Sequence, residues 1–210
     1  MRMTQDSELE WEFEDETSPQ PVFRFICTGG CPSGDQAQCR QILRTAIRDA
    51  IGLGSGAAAA LEVTPTARTV RIFRSTFGHP PSRPVPWAGG RSSGATLARR
   101  YRLATNALLR GGTAYTCDAT LPYNGWTDPV HPSRVLLGPT FWTQNRTNRA
   151  RTILHEMMHQ YFIEFIRHNT PGWTKEHRRN NAHCLANFAL QIRGLTVPPE
   201  YLTRCTDRPV

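Results

Sequence analysis

Apolar positions along the chain fall into helical and extended patterns that alternate. Val22–Cys27 is a short apolar run and predicts a strand. From Asp35, the residues Ile42, Leu43, Ala46, Ile47, Ala50 and Ile51 recur at three- and four-residue intervals, which predicts a helix ending near Gly52. Gly54–Gly56 then reads as a break, with a short helix over Ala57–Leu61. Residues 70–77 predict a short helix or strand closed by Gly78, and 79–94 read as a Pro/Gly/Arg/Ser loop. Leu97, Tyr101, Ala104 and Leu108 mark a further helix that stops at Gly111-Gly112. Tyr115–Cys117 and Val135–Leu137 predict strands, with a polar loop over 122–133 between them. These elements predict an α+β fold, predominantly helical, with a small sheet.

The segment 153–166 departs from ordinary amphipathicity. Ile153, Leu154, Met157, Met158, Tyr161, Phe162, Phe165 and Ile166 make it apolar almost all round, so it reads as a buried helix. Inside it stands His155-Glu156-Met157-Met158-His159. Two imidazoles four residues apart lie about 40° apart around a helix axis, so both can face one ion. A glutamate between them can reach a water on that ion, the H-E-x-x-H arrangement of zinc peptidases. A buried His-Glu-His set needs partners, and Zn²⁺ supplies them. This helix is expected to stop at Asn169-Thr170-Pro171-Gly172. The next one, capped by Thr174, is expected to run to about Arg193.

A catalytic zinc takes three protein ligands and keeps one position for water. His168 lies nine residues beyond His159, about 180° around a continuous helix, and so points away. His183, near an apolar stripe on the next helix, is the leading third ligand, which places the metal site between two consecutive helices. Glu176 and His177 are the alternatives. Glu156 is the expected general base, and Arg179, Tyr123 and Tyr161 are candidate oxyanion donors.

Arg134–Trp142 followed by Thr152–His159, together with Asn181-Ala182-His183 and Phe188-Ala189, resembles the deuterolysin-type (aspzincin, peptidyl-Lys metalloendopeptidase-like) family. The resemblance implies a zincin-like metallopeptidase domain over about residues 35–192. That family's third ligand is an aspartate soon after the second histidine. The corresponding stretch here, Asn169–His177, contains none. A histidine on the following helix with an aromatic after it is similar to SprT-like zinc proteases.

Charge and cysteines widen the picture. The net charge is +8, yet residues 1–20 hold seven acids and one base. That leader reads as disordered, ahead of a single domain over 21–210. The rest of the chain carries +14, which suits nucleic acid or an acidic surface as partner. The six cysteines are compatible with disulfides, with reduced thiols, or, on a weak pattern, with a second zinc on Cys27, Cys31, Cys39 and Cys117. No apolar run is long enough to span a membrane, and the start lacks the pattern of a cleaved secretory signal. The expected function is a zinc-dependent endopeptidase acting on protein or peptide. The alternatives are an exported toxin or cell-wall peptide hydrolase, a nucleic-acid-associated SprT-like protease, and a binding domain with a structural zinc.

Overall fold

The structure, a computed structural model, describes residues 21, 23–27, 31, 34–131, 133–162, 175–202 and 205. The acidic leader therefore lies outside the described residues. A four-stranded sheet has the order β1-β2-β4-β3, with β1 at Arg24–Ile26, β2 at Ala114–Cys117, β3 at Gly125–Thr127 and β4 at Arg134–Leu137. β1, β2 and β4 run parallel, and β3 pairs antiparallel to β4 at one edge. β3 falls within the stretch whose composition reads as loop. Three residues between a proline-containing turn and Asp128 carry too short a period to register.

The helical layer is built around α1, Gln36–Glu62, which packs along α3, Ser93–Arg110, and α5, Arg146–Tyr161. Asp35 caps α1 by accepting from the Ala37 and Gln38 amides at 2.8 and 3.3 Å. The expected end near Gly52 is wrong, because the helix continues through Gly52, Gly54 and Gly56. Each interior glycine costs about 1 kcal/mol of helix propensity. The packing explains why one of them is needed. A Cβ on Gly54 would lie 2.5 Å from Thr105 Cγ2 and 3.4 Å from Leu154 Cδ1, so glycine is what lets α1 approach α3 and α5.

Helix α2, Ala67–Phe77, starts at its cap Thr66 and ends at Gly78 with φ 75°. Phe73 and Phe77 from α2 meet Phe188 of α6, Ala182–Ile192, and Tyr101 of α3 stacks on the same ring. The Tyr101 hydroxyl donates to Leu185 O at 2.6 Å, which ties α3 to α6. Two short helices follow among the described residues, α4 at Pro139–Thr143 and α7 at Pro199–Leu202. One continuous cluster of buried side chains joins these elements.

All six cysteines pair, as Cys27–Cys117, Cys31–Cys39 and Cys184–Cys205. This decides among the three readings of the thiols and removes the second zinc site. Cys27–Cys117 fastens the end of β1 to the end of β2, and Cys184–Cys205 fastens α6 to the segment after α7.

Closing a 21-residue separation restricts the unfolded chain by about 3 kcal/mol in the loop-entropy account. Cys184→Ala/Cys205→Ala is therefore expected to melt roughly 6–12 °C below the parent, read by calorimetry. An unchanged melting temperature would show that this bond is not formed in the folded protein.

Candidate active site

The cleft is assembled from α5, the edge strand β3, the 121–124 turn, α4, α6 and α7. Asn145 caps α5, accepting from the Asn148 amide at 2.8 Å. The helix then buries every side chain from Ala150 to Met158, among them His155 and Glu156, each 5% exposed. Both open onto a cleft of about 860 Å³ that is also lined by His159, His183, Arg151, Thr127 and Tyr201.

Three imidazoles gather on its wall. The His155 and His159 ring centroids are 4.8 Å apart, and those of His155 and His183 are 4.3 Å apart. Zn–N distances near 2.0 Å and a tetrahedral angle would set centroids about 5 Å apart, so the first pair has the spacing of two ligands on one ion. Among the described residues, however, no group of three His, Cys, Asp or Glu side chains is arranged to hold a metal. Hydrogen bonding bears separately on His183. Arg151 Nη2 lies 3.1 Å from His183 Nδ1, and a guanidinium can only donate. A neutral His183 ring then carries its hydrogen on Nε2, the nitrogen that would have to face an ion. A ligating histidine normally donates from its second nitrogen to an oxygen acceptor. His155 and His159 thus have the spacing of a ligand pair, and Arg151 competes with an ion for His183. The SprT-like third-ligand pattern gains no support from these contacts.

The helix ends also revise the ligand argument. α5 stops at Tyr161, with Phe162 as its cap, well before the expected Asn169–Gly172. The exclusion of His168 assumed a continuous helix and no longer applies. His168 and Thr174 lie outside the described residues, as do the side chains of Glu176 and His177. Residues 175–180 form a separate 3-10 turn, so Glu176 does not share a helix face with His183. The cap of α6 is Asn181, whose Oδ1 accepts from the His183 and Cys184 amides.

Glu156 is positioned from the sheet. Thr127 Oγ1, on β3, donates to both Glu156 O and Glu156 Oε2 at 2.9 Å. Its Oε1 lies 3.9 Å from His155 Nε2. Burial raises the Glu156 pKa to about 7, against the opposing pull of the Thr127 hydrogen bonds and of Arg151. A divalent cation nearby would favour the ionised form.

Of the expected oxyanion donors, Tyr123 lines the cleft, while Arg179 and Tyr161 are not among its walls. Two wall residues escaped the sequence reading. Arg151, 2% exposed, sits one turn before His155, and its Nε donates to Asn187 Oδ1 at 3.0 Å. Its guanidinium carbon lies 3.6 Å from the centroid of the Tyr201 ring. The spacing of four from His155 was a usable signal for Arg151. Tyr201 had none, because α7 reaches the cleft only through the chain reversal after α6. Its hydroxyl oxygen accepts from Asn124 Nδ2 at 2.8 Å and from Gln144 Nε2 at 3.2 Å.

Family models and curated sequences give no match to this chain. Among solved structures it is similar to a zinc peptidase from Grifola frondosa, with a TM-score of 0.61 and 14% identity over 77% of this chain and 100% of that one. At that identity the likeness establishes a shared fold.

The turn that carries Tyr123 crosses Gly138 so closely that a Cβ there would run into Tyr123 O and come 2.8 Å from Leu121 O. Gly138→Ala is expected to displace this wall and lower the unfolding free energy by about 1–3 kcal/mol in urea titration. An unchanged midpoint would mean that the 121–124 turn does not pack there.

Proposed function

We propose that the protein is a zinc-dependent endopeptidase. The observation that carries this reading is Glu156, a buried carboxylate on the cleft wall, held by Thr127 and standing beside His155, whose ring is 4.8 Å from that of His159. The fold shared with a zinc peptidase supports it. His155 and His159 would hold the ion. A bound zinc supplies an acidified water and polarises the carbonyl to be attacked.

The chain's own residues would do the rest. Glu156 takes the proton of the attacking water on Oε1 or Oε2 and returns it to the leaving amine. Thr127 keeps the carboxylate facing the cleft through its hydrogen bond to Oε2. β3 ends the sheet on the cleft side, so its outer backbone edge suits an extended peptide added as a further strand. Tyr123, which lines the cleft, remains a candidate oxyanion donor, and Tyr201 on the same wall joins it. His183 is assigned to the wall of the cleft, as the partner of Arg151.

The three disulfides favour an enzyme that works in an oxidising compartment, which is the setting of the exported-toxin alternative. Among the described residues, no helix is long and apolar enough to cross a membrane. Association with nucleic acid rests on the +14 balance beyond residue 20 alone.

Glu156→Gln is expected to keep its metal and lose peptide hydrolysis by about 100-fold or more. Retained proteolysis in the metal-loaded variant would remove Glu156 from the mechanism. By elemental analysis, His155→Ala and His159→Ala are each expected to lose zinc, while His183→Ala keeps it. Zinc loss in His183→Ala alone would make that residue a ligand and overturn its assignment to the wall.

A further inference from the structure

The stretch that carries β3 gives the cleft an apolar side. Pro122, Tyr123, Trp126 and Pro129 all line it. Among the described residues three aromatic side chains are exposed, Tyr123, Trp126 and Tyr161, and the first two stand on this wall. A single exposed aromatic is ordinary, whereas exposed aromatics gathered on a cleft mark a surface that a ligand covers. Trp126 leaves 42% of its surface in solvent although it is the middle residue of β3. The neighbouring carboxylate, Asp128, is turned into its own loop, where it accepts from the Val130 and His131 amides.

The register of β3 indicates what covers Trp126. Gly125 and Thr127 turn toward α5: a Cβ on Gly125 would lie 3.0 Å from Glu156 Cγ, and the Thr127 hydroxyl donates to the Glu156 carboxylate. Trp126, between them, points to the opposite face of the sheet. Asn124 and Asp128 bond to the β4 side, with Gly138 N donating to Asn124 O at 3.2 Å and Asp128 N to Arg134 O at 3.1 Å. By the alternation of an antiparallel ladder, the backbone groups of Gly125 and Thr127 then face the outer edge of the sheet. A peptide strand added there sets one side chain directly opposite Trp126, in a pair with Cβ atoms about 4.5–5.5 Å apart. Gly125 and Thr127 are also the residues that touch Glu156, so this pair forms close to the proposed general base. We infer that Trp126 is a specificity-determining residue, whose ring selects a large apolar side chain, aromatic or β-branched, in the substrate residue opposite it. The inference rests on the peptidase reading and adds a substrate class to it.

The test uses the full-length, zinc-loaded protein on a proteome-derived peptide library, with cut sites read by mass spectrometry. The expected result is an aromatic, Ile or Val residue favoured over Ala or Gly by about 5-fold at one fixed position within about three residues of the cut, the worth of one aromatic cross-strand pair. In Trp126→Ala that preference is expected to vanish and in Trp126→Phe to persist, with selection at the other positions as in the wild type. If Trp126→Ala has no cooperative melting transition, Trp126→Thr, which suits an exposed strand position, replaces it with the same loss expected. Wild-type cutting with no apolar preference near the cut, or with one that Trp126→Ala leaves intact, overturns the assignment and leaves the peptidase reading standing. If nothing is cut, calorimetry of the same protein with decapeptides that differ only in Phe or Ala at one central position decides. Tighter binding of the Phe peptide that is lost in Trp126→Ala keeps the apolar site and overturns the peptidase reading. Equal binding, or none, overturns both.

Discussion

The packing of α5 against α6 sets the rest of the architecture. α5 brings one polar residue and α6 two to an otherwise apolar contact beside the cleft, and they satisfy one another. Arg151 of α5 does so by donating to Asn187 and His183 of α6. Tyr201 then closes over the pair from α7. A polar cluster of this kind stabilises only when its members are all partnered, and a half-satisfied one costs more than an apolar contact. That requirement fixes the rotation of α5 about its axis. The rotation in turn turns His155 and Glu156 toward the cleft.

A second constraint comes from the sheet. β3 is three residues long and gains its place by pairing with β4 and by lying against α5. Thr127 is the joint, since one hydroxyl reaches both the backbone and the carboxylate of Glu156. Glu156 is thereby tied to the edge strand of the sheet, which borders the cleft. Carboxylate and edge strand are joined, the kind of rigid support that the proposed chemistry needs.

Much of this was legible from residue order. α3, β2 and β4 stand where their apolar periods and glycines put them, and the buried character of α5 follows from its all-round apolar surface. The failures have physical causes. α1 outlasts its glycines because Gly54 is required by close approach to Thr105, a tertiary demand that overrides propensity. α5 ends at Tyr161 although its apolar residues continue to Ile166, so the pattern did not mark the boundary. β3 is too short to show a period. Tyr201 belongs to a four-residue helix whose only sequence hint is Cys205, and a cysteine does not name its partner.

The buried arginine of the cleft is likewise invisible to composition. An excess of arginine over the whole chain says little about one buried guanidinium. What distinguishes Arg151 from the solvated arginines is its place four residues before His155, on the helix face turned toward α6.

Zinc K-edge absorption spectroscopy of the purified protein tests the central claim most directly. The account predicts about one zinc per chain with nitrogen and oxygen neighbours near 2.0 Å and the multiple-scattering signature of at least two imidazoles, reduced in His155→Ala and His159→Ala. A protein without tightly held metal, or a zinc shell unchanged by both substitutions, would contradict it.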